Sequence, residues 1–370
     1  MTHYIHLKIA KILSLLPLEN KYKSYHKAHG ILIIVCLLAM FAGNIYYRIY
    51  YYYRYIKNIR KLLDAMIHTF TTLTNVNSIL VAAFFHHKHW ILLLKKSKTP
   101  LLVTTCFSNT FFYILDFLFI FYTFCEINYY RKINTRIITY LIPSYINIFI
   151  ILMSILNINY YANELKNMLS TFRLNLKSEK IKLDEIIEKE TNPYIVSKKF
   201  ASESRTDDHF KYFVDICYKM DAFNKIYGWQ ILNFAAVLLI FAYDSLSTVL
   251  REFFREDPSQ MHIQLLLIKM LKCFNFLIFG LLLIKPCFAF NSQMDKVVVL
   301  CRKILINLPE TCDNGFCRYL KLKLVFLLKQ IEMKKPYFSA AGFFEVDYVM
   351  LVYILNGITS YLMVTLQAAY

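Results

Sequence analysis

The chain has 370 residues, 57% of them hydrophobic and 18% charged, and its apolar residues gather in long runs. That distribution excludes a large soluble core and describes an integral membrane protein. The formal charge of +18 would suit nucleic acid, but the basic residues stand between the apolar runs, where a membrane protein keeps them, so no nucleic acid is expected as a partner.

The first 28 residues are polar and basic, so no cleavable leader is expected, and the first apolar run is expected to act as an uncleaved anchor. Seven stretches read as transmembrane helices, at about 30–47, 62–85, 101–124, 137–160, 226–249, 263–284 and 346–367. Each is near the ~20 residues that cross the hydrocarbon core. The expected fold is an all-α membrane protein forming a single unit over 1–370. With a cytoplasmic N-terminus, 31 Lys and Arg fall inside and 10 outside, which puts the C-terminus outside. That orientation is opposite to a G-protein-coupled receptor. Motifs also argue against that class: the third span runs into "CEINYYRK", and Asn356 is followed by Gly357 with no proline.

After the first span, "YYRIYYYYRY" at 46–55 reads as an aromatic belt at the outer interface. Charges then recur inside the spans: Asp116 in the third, Asp244 in the fifth, Lys269 and Lys272 in the sixth. Each costs ~2.5–3.5 kcal/mol at mid-bilayer, so lipid exposure is excluded and ion pairs or a wet cavity are expected. His68, Tyr140, Tyr145 and Tyr243 fall in the same layer. Two readings stay open: a ligand pocket, or Asp–Lys pairs that only set helix register.

The long segments 161–225 and 285–345 carry apolar stripes at helical spacing. Leu165, Met168, Leu169, Phe172 and Leu176 form one, and Phe213, Ile216, Met220, Phe223 and Tyr227 a second. Phe316, Leu320, Leu324, Leu327 and Ile331 form a third, with Arg318, Lys321, Lys323 and Lys329 interleaved. Either these helices lie on the inner leaflet, or they form a bundle below the membrane that ties subunits together. Pro193 punctuates the first segment. Among the 9 cysteines, Cys312 and Cys317 are closest but lack the partners of a zinc site, so free thiols are expected. No nucleophile, metal or nucleotide motif suggests an enzyme or a cofactor. Seven glycines and no repeat symmetry argue against a transporter.

The last span ends "SYLMVTLQAAY". At ~100° per residue, Asn356, Ser360, Met363 and Gln367 share one face, with Val364 at its edge, and Tyr361 and Thr365 point elsewhere. A wet face on a membrane helix meets a cavity or a partner; ordinary interhelical hydrogen bonding is the alternative.

These last residues resemble the insect gustatory receptor family, whose C-terminal signature is Thr-Tyr, five mostly hydrophobic residues, then Gln-Phe. Here Ser360-Tyr361 precede Leu362 to Leu366 and then Gln367-Ala368, so Ser and Ala replace Thr and Phe. Pro336, Phe338, Gly342 and Phe344 also look like the family's approach to its last helix. The resemblance implies a tastant-gated, non-selective cation channel in the plasma membrane of gustatory or other chemosensory neurons. It implies four subunits, alike or mixed, with the last helix of each lining one pore for permeant cations. It also implies a cytoplasmic anchor near 312–335 and a pocket for a small-molecule tastant among the second to sixth spans. Ala368 keeps open a non-conducting co-receptor subunit; a G-protein-coupled receptor is more distant.

Overall fold

The computed structural model describes residues 8–16, 24–52, 58–85, 87–94, 117, 119–129, 131, 136–189, 195, 206–253, 260–308, 315–333 and 335–367. Helix α1 spans Ser24–Tyr47 and ends in a π-turn, Arg48–Tyr52. Helices α2 (Asn58–Ala83) and α3 (His87–Leu94) follow, then a helical stretch at 119–129. Three long helices come next: α4 (Arg136–Lys189), α5 (Thr206–Phe253) and α6 (Gln260–Asn307). The chain closes with α7 (Gly315–Met333), a hairpin of β1 (Ser339–Ala340) and β2 (Phe344–Glu345), and α8 (Tyr348–Gln367).

Helix length dictates the shape. At 1.5 Å per residue the 54-residue α4 runs about 80 Å, against a hydrocarbon core of ~30 Å. Helices α5 and α6, at 48 residues each, overshoot similarly. All three continue well beyond any bilayer, and there their apolar stripes find cover. Leu165, Leu169 and Phe172 on α4 are buried with Phe213, Ile216 and Phe223 on α5 and Leu324, Leu327 and Ile331 on α7. The Phe172 and Phe213 rings lie 5.1 Å apart. Two of the stripes therefore face each other within one chain and need neither lipid nor a second subunit. Phe316 and Leu320 have side chains outside the described set. Glu179 on α4 pairs with Lys182 at 3.2 Å and reaches His209 on α5 at 3.7 Å. Burial raises its pKa, but the His209 and Lys182 contacts outweigh this and hold the carboxyl below the usual carboxylate range.

Among the described residues, four stretches are long and apolar enough to cross a membrane: Lys27–Tyr50, Leu141–Ile186, Asp208–Leu250 and Ile263–Asn307. A shorter apolar stretch, Tyr348–Met363, lies in α8. Helix α2 is less apolar because it turns polar groups inward. Thr72, Asn75 and Ser78 are buried, and Asn75 Nδ2 donates to both the backbone oxygen and Oδ1 of Asn147 on α4, each at 2.9 Å. Such interhelical bonds are the usual glue of membrane bundles. The expected third span lies mostly at 101–116, outside the described residues, as does Pro193. Of the tyrosine-rich belt, Tyr46 and Tyr50 are exposed with rings 4.7 Å apart.

The hairpin sets the start of α8. Ser339 pairs with Glu345 and Ala340 with Phe344, and both Ala341 (φ 53°) and Gly342 (φ 84°) take the left-handed conformation. Phe338 is fully buried between the rings of Phe223 and Phe290. Asn224 on α5 clamps the strand: its Nδ2 donates to Tyr337 O at 2.8 Å, and its Oδ1 accepts from Ser339 N at 3.0 Å. Asp347 then caps α8, its Oδ1 accepting from Val349 N and Met350 N.

Candidate functional site

One polar cavity of about 80 Å³ opens where α2, residues 119–129, α4, α5 and α6 converge. Helical spacing explains how each element reaches it. Asp64, His68 and Thr71 stand one turn apart on α2, and Tyr122 and Glu126 one turn apart on 119–129. Ser144, Tyr145 and Ile148 come from α4, Phe241 and Asp244 from α5, and Lys269 and Lys272 from α6. Arg48, in the π-turn after α1, completes the wall.

Among the described residues, three acids and three bases besides His68 therefore share this site. Arg48 contacts Asp64 directly, while its Nε donates to Asn44 Oδ1 at 2.9 Å and its terminal nitrogen reaches Ser144 Oγ at 3.4 Å. His68 Nε2 lies 3.7 Å from Asp64 Oδ1. Lys269 Nζ is 3.5 Å from Asp244 Oδ2. Glu126 accepts the hydroxyl of Tyr145 at 2.5 Å and that of Tyr122 on the same oxygen. Lys272 Nζ sits 4.6 Å above the Phe241 ring, a cation–π contact.

Five of the sequence-derived pocket residues meet here: His68, Tyr145, Asp244, Lys269 and Lys272. Tyr243 does not line the cavity; one position from Asp244, it is turned ~100° away and its ring meets Tyr361 of α8 at 6.2 Å. Asp116 and the Tyr140 side chain lie outside the described set. Arg48, Asp64, Glu126 and Ser144 were not anticipated. Arg48, Asp64 and Glu126 sit at the edges of the expected spans, where charge reads as loop, and Ser144 is a small hydroxyl inside the fourth span with no distinguishing pattern. The i,i+4 pairs Asp64–His68 and Tyr122–Glu126 were the available signal.

A second feature is the outward face of α8. Met350, Ile354 and Ile358 are buried and bind the helix to the bundle along one stripe. Asn356, Ser360, Met363 and Gln367 are exposed and centre roughly 150° from that stripe at 100° per residue. The side chain of Val364 is not described, nor is Ala368. Tyr361 lies on the bundle side and leans on Tyr243, and it is 62% exposed.

The family model for the 7tm chemosensory receptor matches residues 3–370. In fold, the chain is similar to the insect olfactory receptor OR5 from Machilis hrabei, solved in complex with eugenol. The TM-score is 0.60 at 12% identity, covering 99% of this chain and 98% of that one. Among curated protein sequences none matches the chain significantly.

Proposed function

The chain belongs to the 7tm chemosensory receptor family, and from that premise we propose that it is a gustatory receptor working as a tastant-gated, non-selective cation channel. Seven spans, a cytoplasmic N-terminus and an external C-terminus go with this reading. Four subunits surround one pore lined by α8, in the plasma membrane of a chemosensory neuron. One observation carries it: the polar stripe of α8 faces away from its own bundle. In a lone subunit that stripe would meet lipid, where Asn and Gln are costly. Around a four-fold axis it would meet water and ions. The exposed Leu322, Phe326 and Met333 of α7 suit the subunit contact below the membrane. Ligand entering the polar cavity would act on α5, and the Tyr243–Tyr361 contact offers a route from α5 to α8.

The test is expression in cells without other chemoreceptors, recording current while small tastants are applied. Tastant-evoked cation current is expected, and Gln367→Ala is expected to change its rectification or ion selectivity. An unaltered profile would remove Gln367 from the pore. Absence of current unless a related subunit is co-expressed would favour the co-receptor reading, which Ala368 at the Phe position of the family signature supports. A separate outcome concerns orientation: an epitope fused after Tyr370 is expected to label intact cells. Staining only after permeabilisation would point to the orientation of a G-protein-coupled receptor.

A further inference from the structure

Charge pairing around the cavity is incomplete in a specific way. Of the three acids, Asp64 is paired with Arg48 and Asp244 with Lys269. Glu126 and Lys272 are left to each other, yet among the described residues they form no ion pair. Lys272 turns its ammonium to the face of Phe241 instead. Both hydrogen bonds of Glu126 arrive at Oε2, and Oε1 has none among the described residues. Close by, His68 is 5% exposed and its Nδ1 has no hydrogen-bond partner among the described residues. A buried carboxylate and a buried ammonium that face one space without touching are costly. The space between them is shaped for something that brings an opposite charge to each.

We propose that this cavity binds a small zwitterion of the α-amino acid class, its ammonium on Glu126 and its carboxylate on Lys272. This rests on reading the cavity as the ligand site of a receptor. Among the described residues the wall's acids and bases balance with His68 neutral, and a neutral zwitterion leaves that balance intact. A simple anion would satisfy Lys272 but bring a second negative charge towards Glu126. A polyol or phenol would hydrogen-bond while neutralising neither group. Ile67, Leu141 and Ile148, which also line the cavity, supply an apolar wall for a short side chain. Size agrees: about 80 Å³ holds roughly half a dozen water-sized groups at ~10–15 Å³ each. That admits alanine or serine and is small beside the ~300–1,000 Å³ of drug-sized pockets.

The experiment is direct binding to the full-length protein purified into lipid nanodiscs, by calorimetry. The probes are L-alanine, alaninamide without the carboxylate, propionate without the ammonium, and the phenol eugenol. L-Alanine is expected to bind about ten- to a hundredfold tighter than alaninamide or propionate, the loss set by one charge-assisted bond each. Lys272→Met is expected to erase the preference over alaninamide, and Glu126→Gln the preference over propionate. Lys272→Arg is expected to keep it. The wild-type series decides the matter even where a variant fails to fold. Propionate or eugenol binding as tightly as L-alanine, or no binding of L-alanine to the folded protein, overturns the proposal. Currents recorded in parallel separate the two readings. Current evoked by other tastants, with L-alanine unbound, leaves the receptor reading standing and removes the amino-acid ligand. L-Alanine binding under conditions that evoke no cation current upholds the ligand class and counts against the channel.

Discussion

Alanine at Gly228 is expected to destabilise the protein by about 1–3 kcal/mol, the usual cost of forcing atoms into filled space. Alanine at Gly43 is expected to be neutral or stabilising by up to about 1 kcal/mol. Both glycines are inside helices, so helix propensity alone predicts a gain at each. Their surroundings differ. A Cβ on Gly228 would lie 2.8 Å from Ala341 N, 3.2 Å from Ala341 Cα and 3.3 Å from Ser339 O, all backbone atoms of the hairpin. A Cβ on Gly43 would meet nothing within 4 Å. The hairpin cannot yield cheaply, because Phe338 is locked between Phe223 and Phe290 and Asn224 holds residues on both sides of it. Thermal unfolding of the detergent-purified variants checks this. Equal shifts at the two glycines would refute the close approach of hairpin and α5.

Arg48→Ala carries the larger expected cost, about 3–5 kcal/mol, because it strands a charge rather than a volume. Arg48 is 3% exposed and ties three elements: Asn44 on α1, Asp64 on α2 and Ser144 on α4. Its removal leaves the Asp64 carboxylate beside His68 without the guanidinium. The double change Arg48→Met with Asp64→Leu is expected to recover most of the loss, since it removes both charges. Surface expression and melting temperature together report it. Should the single change prove as mild as the double, the pair carries little structural weight.

These two sites also mark what periodicity reaches and what it misses. The α4 and α5 stripes were legible because burial on a helix repeats every 3.6 residues, and Phe172 and Phe213 are both fully buried. The outward stripe of α8 was legible for the same reason: polar residues at Asn356, Ser360 and Gln367 keep one face. Gly228 carried no such signal. Its requirement comes from a hairpin more than 100 residues later, whose backbone comes to rest on α5. Tyr243 is a related case. Its depth beside Asp244 was readable, but one step along the helix rotates it from the cavity to the face that meets Tyr361.

Sequence alone determined the class of molecule and the inside faces of its helices, because hydropathy and helical period are local properties of the chain. It also supplied the terminal Tyr361–Gln367 signature. Only the tertiary structure decided which charges are partners. Arg48 with Asp64, and Lys269 with Asp244, are joined across helices, and each choice leaves fewer options for the rest. Ion pairing inside a membrane depends on distances of a few ångströms between separate helices, which no spacing along one chain encodes. That is why Lys272 and Glu126, legible separately as an intramembrane charge and a span-edge acid, become facing groups across one cavity only when the bundle is assembled.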